Sequence, residues 1–452
     1  MKTAAVICEL NPMHNGHVHL FDEIRRQSGA RFVVALMSGD FVQRGAPAIM
    51  DKYERAGVAL RCGADMVIEF PGVFALASAD DFASGAVRIL RGLGCIDTLG
   101  FGAECGDVAA LERAAAVLAS ETDEYRAALK SALAGGLSYP AASRKALAEV
   151  AGEETAVLLD SPNNILAISY LKALNAAPAG NPVDITQMAG LKAPIASKAP
   201  GCPEAPGCGI SPRVIERVGA GHGEGVQGSY PSSSYIRNVL LSSSGSVAGV
   251  SRNSAGIPGD TFESLRGLMP DAAYETLAAN ADQNLLISED DLSALVHYRL
   301  STLSREELLG YTGGDDGIAG RIVSLRDSAY SFGELCDSMQ NRTLTLSRIS
   351  RILTRIVLRM DDALMESVGR EDALYARILG FRNEASRLVS EIKNAASIPV
   401  LTGLSGWEKA LSPTAAKIIT ADILSEDIRR NLQFSHTGVG RPNAYQQPII
   451  KF

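Results

Sequence analysis

The sequence predicts an α/β protein in which a parallel sheet is followed by a mainly helical part. In the first ~100 residues, short apolar runs alternate with helical segments of about 10–15 residues, which is typical of βαβ units. After residue 260, apolar residues recur at helical spacing, and strand alternation largely disappears. The length of 452 residues fits two or three domains.

Four apolar runs are predicted to form the sheet, at 4–8, 31–37, 66–70 and 97–101. Helices are predicted between them, at 17–27, 52–60 and 78–90. Ligands of parallel sheets bind beyond the carboxyl ends of the strands. We therefore expect the chemistry in the loops that follow these four runs.

The second half is predicted to be helical at 292–303, 305–311, 346–360, 373–381 and 416–432. Two aperiodic stretches interrupt the chain. The first, 188–213, is rich in Pro, Gly and Ala and is interpreted as an insertion loop, and the second, 242–260, as a linker. The predicted domains are therefore 1–245 and 246–452.

Composition excludes several classes of protein. The formal net charge of −8 excludes a uniformly basic polyanion binder, so any basic site has to be local. Seven cysteines without a C-x-x-C pair argue against a disulfide framework or a zinc ribbon, and no metal site is predicted. No apolar run reaches the ~18 residues that a membrane span needs, so we expect a cytoplasmic protein without a membrane partner.

The loop after the first predicted strand carries an H-x-G-H motif at the start of a helix. Gly16 lacks a Cβ where a phosphate would approach the backbone, and the helix N-terminus offers free N–H groups. His14 and His17 can donate to phosphate oxygens and stabilise the charge that develops as pyrophosphate leaves. An ordinary polar turn remains the alternative for so short a motif.

A second motif is a serine cluster that leads into an apolar-periodic segment at 230–237. Ser232 and Ser234 can cap helix N–H groups or bind phosphate, and Arg237 lies one turn further on, within reach of a triphosphate. Taken alone, the cluster is also explained by helix capping.

These motifs resemble those of the HxGH nucleotidyltransferase superfamily. A narrower resemblance, to the bacterial tRNA-Met cytidine acetate ligase family, extends over most of the chain. The segments that carry it are NPMHNGH, MSGDFVQRGAPAIMDKYERA (37–56), FGAECGD (101–107), SPNNILAISYLKAL (161–174) and RTLTLSRISRIL (342–353).

The resemblance implies a Rossmann-like nucleotidyltransferase domain and a two-step reaction. ATP and acetate would give acetyl-adenylate, and the N4 amine of the wobble cytidine of elongator tRNA-Met would then take the acetyl group. Mg²⁺ is expected with ATP, although no residue pattern identifies its ligands. Two alternatives stay open: adenylylation of a small phosphate or carboxylate metabolite, and a non-catalytic RNA-binding protein on the same fold.

The resemblance also implies site residues. His14, His17 and Arg237 are the candidate catalytic residues. Asp40 and Arg44 are candidates for binding acetate or phosphate because of their position after the second predicted strand, where Arg44 could neutralise the carboxylate or the phosphates and Asp40 could orient Arg44. The candidate ATP-binding residues are Ile7, Cys8, Glu9, Leu10, Asn11, Pro12, Met13, His14, Asn15, Gly16, His17, Val18, His19, Leu20, Gly102, Asn163, Arg217, Ser232 and Ser234. The choice of Arg217 depends on treating 188–213 as an insertion. His222 stands where the family tends to have Tyr.

A stretch without acidic residues, between Asp337 and Asp361, contains five arginines. The last four are spaced 3, 4 and 4 apart, which places them within about 80° of one helix face, opposite an apolar surface. Such a stripe can follow a phosphate backbone, so we predict a tRNA-binding surface. Pairing of the stripe with acidic residues elsewhere is the alternative. Its members are Arg342, Arg348, Arg351, Arg355 and Arg359.

Overall fold

The computed structural model describes residues 2–176, 209–218, 226–227, 230–242 and 259–452. The strands are β1 (Thr3–Cys8), β2 (Phe32–Ser38), β3 (Phe41–Val42), β4 (Ala46–Pro47), β5 (Met66–Phe70), β6 (Thr98–Ala103), β7 (Ser211–Glu216), β8 (Val226–Gln227), β9 (Tyr230–Pro231), β10 (Ala376–Phe381), β11 (Val400–Leu401) and β12 (Ile450–Lys451).

Helices follow most strands and make up most of the second half. Those before residue 245 are α1 (Asn15–Ser28), α2 (Lys52–Arg61), α3 (Gly72–Ala75), α4 (Ala79–Gly92), α5 (Val108–Ser120), α6 (Asp123–Ala134), α7 (Tyr139–Ala151), α8 (Glu153–Ala156), α9 (Pro162–Asn175) and α10 (Ser233–Ser242). Those after it are α11 (Gly259–Glu263), α12 (Asp271–Asp282), α13 (Ser293–Thr302), α14 (Arg305–Leu309), α15 (Asp316–Leu325), α16 (Phe332–Met339), α17 (Leu346–Leu358), α18 (Asp362–Glu366), α19 (Ser386–Ala395), α20 (Trp407–Ala410) and α21 (Pro413–Thr437).

The main sheet has the strand order β11-β10-β5-β2-β1-β6-β7, and β12 also pairs with β10. The strands β5, β2, β1, β6 and β7 run parallel to one another. The strand order reverses at β1, which has β2 on one side and β6 on the other. A crevice forms beyond the carboxyl ends of the strands at such a switch point.

Both faces of the sheet are buried. Along β1, Ala5 and Ile7 belong to one apolar cluster, while Ala4 and Val6 belong to a second cluster on the opposite face. Because successive side chains of a strand point to opposite faces, this division means that helices cover both sides. The four strands and three helices predicted in the first ~100 residues are thereby confirmed, with ends shifted by at most two residues.

One prediction for the second half is wrong. Residues 373–381 were expected to be helical, but Ala376–Phe381 form β10, which pairs antiparallel with β5. Every residue of β10 is buried, so its apolar run has no alternation that would distinguish a strand from a buried helix. The second half is therefore mainly helical, yet it contributes strands to the sheet of the first.

The boundary predicted at 245/246 lies outside the described residues, as do most of 188–213 and 242–260. The division into two domains therefore stays a prediction. None of the described helices is long and apolar enough to cross a membrane.

Candidate active site

The loop between β1 and α1 is closed by its two histidines. The backbone N–H of Gly16 donates to His14 Nδ1 (3.1 Å), and the backbone N–H of His14 donates to His17 Nδ1 (3.2 Å). The two side chains thus form a reciprocal cap on the first turn of α1, and their ring centroids are 4.0 Å apart. Because both Nδ1 atoms accept, the ring protons reside on the Nε2 atoms.

Both imidazoles are held neutral. Burial, followed by the charges of His17 and Arg217, lowers the pKa of His14 well below its ordinary value. Burial and then Arg217 lower the pKa of His17 to about 3. Two neutral Nε2–H donors at a helix N-terminus suit an anion such as phosphate, since the helix dipole already supplies positive potential there.

Gly16 leaves space for the ring of His14, which the sequence alone did not indicate. A Cβ at this position would lie 2.9 Å from His14 Cε1. Any larger residue would therefore displace the His14 ring from its capping position. The missing Cβ leaves room for the histidine pair, whatever ligand approaches the loop.

Arg237 of α10 contacts the loop between β1 and α1, although the two are more than 200 residues apart in the chain. Its Nη1 donates to the carbonyl of Asn11, and its Nη2 donates to Ser234 Oγ (3.0 Å). Ser233 Oγ donates to the carbonyl of Pro12 (3.0 Å), so α10 is fixed on this loop. Ser232 Oγ accepts from the N–H of Tyr235 and acts as a helix cap.

The neighbouring carboxyl end of β6 collects the other predicted nucleotide contacts. Arg217 follows β7, and its Cγ would lie 3.2 Å from a Cβ placed on Gly102. Asn163, at the start of α9, donates from Nδ2 to Glu104 Oε1 (2.6 Å). The structure thus brings Gly102, Asn163 and Arg217 to the edge that also holds the histidine pair. Glu104, which the sequence analysis did not select, connects α9 to β6.

Within the predicted ATP-binding segment 7–20, several side chains have structural partners. Leu10 and Met13 are buried in the core, and Asn11 Oδ1 accepts from the N–H of Ile49 (2.8 Å). Asn15 Nδ2 donates to the carbonyl of Gly267 (2.8 Å). In this segment, the side chains of Leu10 and Met13 therefore shape the loop, and we expect them to take no direct part in binding.

Comparison with known proteins identifies the family. A family profile described as HIGH Nucleotidyl Transferase matches residues 1–187 and 205–438. The tRNA(Met) cytidine acetate ligase of Acetivibrio thermocellus is 34% identical over 432 residues, which cover 95% of this chain and 94% of that protein. The ligase of Clostridium novyi is 30% identical over 403 residues, 88% of this chain and 89% of that protein. This chain belongs to the tRNA(Met) cytidine acetate ligase family.

Solved structures of Thermotoga maritima TmcAL agree with this assignment. The apo form has a TM-score of 0.84 at 25% identity, with all of both chains covered. The form bound with alpha-thio ATP has a TM-score of 0.82 at the same identity and coverage. This chain therefore has the Rossmann-like nucleotidyltransferase fold that its sequence motifs predict.

Asp40 does not orient Arg44, contrary to expectation. Its carboxylate is buried, accepts from the N–H of Lys52 (3.1 Å), and lies 3.7 Å from both Lys52 Nζ and Arg429 Nε. Asp40 is therefore a residue of the protein interior. Arg44, in contrast, is exposed in the turn between β3 and β4.

The arginine stripe is confirmed as a helix with an apolar face, but it is shorter than predicted. Helix α17 ends at Leu358, and Arg359 follows it in the left-handed region (φ 57°), so Arg359 is not on the helix face. Arg351 Nη1 donates to the carbonyl of Gln43 (3.3 Å), and Arg355 Nη2 donates to that of Tyr311 (2.7 Å). Asp362 lies 3.7 Å from Arg355 Nη1, so one member of the stripe has an acidic neighbour. Arg342 and Arg348 are exposed.

A buried ion cluster beneath the site was missed by the sequence analysis. Lys52 Nζ lies 2.6 Å from Glu69 Oε1 and 2.9 Å from Glu426 Oε2, and Arg377 Nη1 lies 3.0 Å from Glu69 Oε2. Burial alone lowers the pKa of Lys52, but the charges of Glu69 and Glu426 outweigh it and raise that pKa well above its ordinary value. The available signal was a charged residue inside each of two apolar strands, β5 and β10.

Among the described residues, no group of three or more His, Cys, Asp or Glu side chains is placed to hold a metal ion. His222 lies outside the described residues.

Proposed function

We propose that this chain is an ATP-dependent ligase that joins acetate to the N4 amine of the wobble cytidine of elongator tRNA-Met. The observation that carries the proposal is the pair of neutral histidines at the N-terminus of α1, beside Arg237. The proposed substrates follow from the names of the relatives, which are tRNA(Met) cytidine acetate ligases. The ATP analogue bound to the Thermotoga protein supports a nucleotide site.

The first step is adenylate formation. A carboxylate oxygen of acetate attacks the α-phosphorus of ATP, the bond to the β-phosphate oxygen breaks, and pyrophosphate leaves. The Nε2–H groups of His14 and His17, together with Arg237, donate to the phosphate oxygens on which negative charge develops. Because the histidines are already neutral donors, this step needs no proton transfer from them.

The second step is acyl transfer to RNA. The N4 amine of cytidine attacks the carbonyl carbon of acetyl-adenylate, AMP leaves, and the amine loses one proton. No covalent enzyme intermediate is needed, because acetyl-adenylate is already activated. Placement of the cytidine beside the acyl group is therefore the main task of the protein in this step.

We assign the first step to residues 1–245 and the holding of tRNA mainly to 246–452, with Arg342, Arg348, Arg351 and Arg355 as phosphate contacts. Mg²⁺ is expected to enter with ATP, whose phosphate oxygens are the hard ligands it prefers. Since tRNA is the proposed substrate, the proposed location is the cytoplasm.

The test separates adenylate formation from tRNA binding. Acetate-dependent exchange of pyrophosphate into ATP, measured without RNA, reports adenylate formation. His17→Ala is expected to reduce this exchange at least 100-fold, because it removes a donor to the α-phosphate and half of the α1 cap. Binding of tRNA, measured by filter retention, is expected to stay within twofold of wild type.

Other results would favour the alternatives. AMP transfer to a small metabolite, without exchange that depends on acetate, would mean a nucleotidyltransferase of another specificity. Binding of tRNA without any exchange in the wild-type protein would mean a non-catalytic RNA-binding protein. Equal loss of exchange and tRNA binding in His17→Ala would contradict the division of labour between the two parts.

A further inference from the structure

The turn between β3 and β4 is fixed directly onto the arginine helix α17. Ser350 Oγ and Thr354 Oγ1 both donate to the carbonyl of Gly45, at 2.7 and 2.6 Å, and both side chains are buried. Gly45 has φ 85°, and a Cβ there would lie 2.3 Å from the backbone N of Arg351. The turn and the helix therefore form one rigid contact.

Arg44 lies in the chain between two residues that contact this helix. The carbonyl of Gln43 accepts from Arg351 Nη1, and Gly45 packs on the helix backbone. On its other side, the N–H of Gln43 donates to Glu9 Oε1 (2.8 Å), at the end of β1. The exposed side chain of Arg44 therefore belongs to a turn that contacts both helix α17 and the loop between β1 and α1, which we call the nucleotide loop.

The charges around this point are mostly positive. Burial, followed by the charge of Arg44, lowers the pKa of Arg237 to about 10, while Glu9 and Glu289 oppose the shift. Burial and then the charges of Arg355 and Arg348 lower the pKa of Arg351 to about 10. Within the described part of the chain, no ion pair involves Arg44, Arg348 or Arg351.

We propose that Arg44, Arg351 and Arg348 bind successive backbone phosphates of the RNA substrate, and that Arg44 holds the phosphate nearest to the cytidine that is acylated. This inference deepens the proposed function and rests on it. A row of separate, partly exposed cations that leads away from the nucleotide loop fits an extended polyanion better than a compact triphosphate. The structure thereby assigns Arg44 to the RNA, in preference to acetate or ATP.

The experiment compares Arg44→Ala with wild type in both half-reactions and in tRNA binding. We expect kcat/KM for tRNA acetylation to fall about 10- to 100-fold, and this loss to exceed any loss in acetate-dependent exchange at least tenfold. The slope of log Kd against log salt concentration is expected to decrease by about 0.7–0.9, the contribution of one phosphate contact. Arg44→Lys keeps the charge and is expected to restore most of the binding.

Arg113→Ala is the matched control, since Arg113 is an exposed arginine of α5. It is expected to leave all three measurements unchanged. Equal losses of exchange and acetylation in Arg44→Ala would place Arg44 at the nucleotide or acetate and overturn the inference. Unchanged tRNA binding in this variant would also overturn it. Failure of the wild-type protein to acetylate tRNA would refute the proposed function instead, and the binding measurement would still decide on Arg44.

Discussion

The two histidines of the H-x-G-H motif act through their neutral forms. A protonated imidazole at the N-terminus of α1 would repel the helix dipole, its partner ring and Arg217. Neutral rings whose Nδ1 atoms cap the helix avoid this repulsion and present both Nε2–H groups as donors. The sequence indicated two phosphate donors, but the burial that sets their protonation state depends on residues far away in the chain.

The protonation state can be measured by NMR. Long-range ¹H–¹⁵N spectra of the free protein are expected to identify the Nε2–H tautomer for both His14 and His17. Since the pKa of His17 is lowered to about 3, its ring signals should not change between pH 8 and pH 5. A titration midpoint between pH 6 and 7 for either ring would contradict this account.

Gly16→Ala tests the packing of the pair. The new Cβ would meet His14 Cε1 at 2.9 Å and push the ring away from its cap. Misplacement of a positioning group by about 1 Å can cost roughly 100-fold in rate, so we expect exchange to fall at least tenfold. Gly57→Ala is the matched control, because nothing lies within 4 Å of its Cβ position. Equal activity of the two variants would disprove the steric role of Gly16.

At the scale of elements, the spacing of apolar residues predicted those helices and strands that the local sequence determines. The strands of the first ~100 residues are short apolar runs, and they were found because helical segments alternate with them. The strand β10 is an equally buried run, but it was missed because it lies among segments of helical spacing and its partner β5 is more than 300 residues away in the chain. Arg359 was misplaced because α17 ends one residue before it. The first error arises from a tertiary contact, which a local pattern does not contain.

Asp422 of α21 bonds to α3 and to Tyr375, the residue before β10, and gives stability a dependence on pH. Its carboxylate accepts from the N–H of Gly72 (2.8 Å) and from Tyr375 Oη (2.5 Å). Burial and then the charge of Glu69 raise the pKa of Asp422 from 3.8 to about 7. A raised folded-state pKa contributes stability that is complete below pH 3.8 and is lost as the pH rises to about 7.

Asp422→Asn is expected to remove this pH dependence, because the amide stays neutral and can retain both hydrogen bonds. At roughly 1.4 kcal/mol for each pKa unit, the free energy of unfolding of the variant relative to wild type should increase by roughly 3 kcal/mol between pH 4 and pH 7. Urea unfolding at several pH values measures the difference. Asp282→Asn, an exposed change at the end of α12, serves as the control. Parallel pH curves for wild type and Asp422→Asn would contradict the assignment.

At the scale of the whole molecule, the second half completes the first. Strand β10 extends the sheet beyond β5, while Glu426 and Arg429 of α21 reach the buried Lys52 and Asp40. The sequence indicated two parts from their composition and periodicity. It did not indicate that the later part supplies charges to the interior of the earlier one, since partners more than 300 residues apart leave no local signal.

A fragment of residues 1–245 is therefore expected not to fold by itself. It would lose β10 and leave Lys52 without Glu426 and Glu69 without Arg377. Removal of one partner of a buried ion pair costs about 3–5 kcal/mol, against a total stability of about 5–15 kcal/mol. Circular dichroism on heating is expected to lack a cooperative transition. A fragment that unfolds cooperatively and exchanges pyrophosphate would instead support two independent domains.

The charge distribution of the molecule agrees with a local polyanion site. The net charge is −8, yet Arg44, Arg237, Arg348 and Arg351 lie along a path from the nucleotide loop to α17. We expect this path to guide RNA while the acidic remainder of the surface disfavours non-specific binding. The sequence located the arginines of α17, but their contact with the turn that carries Arg44 required the structure.

The central claim is tested most directly by incubation of the full chain with ATP, labelled acetate and total tRNA, followed by nucleoside analysis. The account predicts label in N4-acetylcytidine from elongator tRNA-Met, release of one AMP and one pyrophosphate for each acetyl group, and no product with His17→Ala. Label that is absent from tRNA, with ATP consumed and AMP attached to a small metabolite, would contradict it.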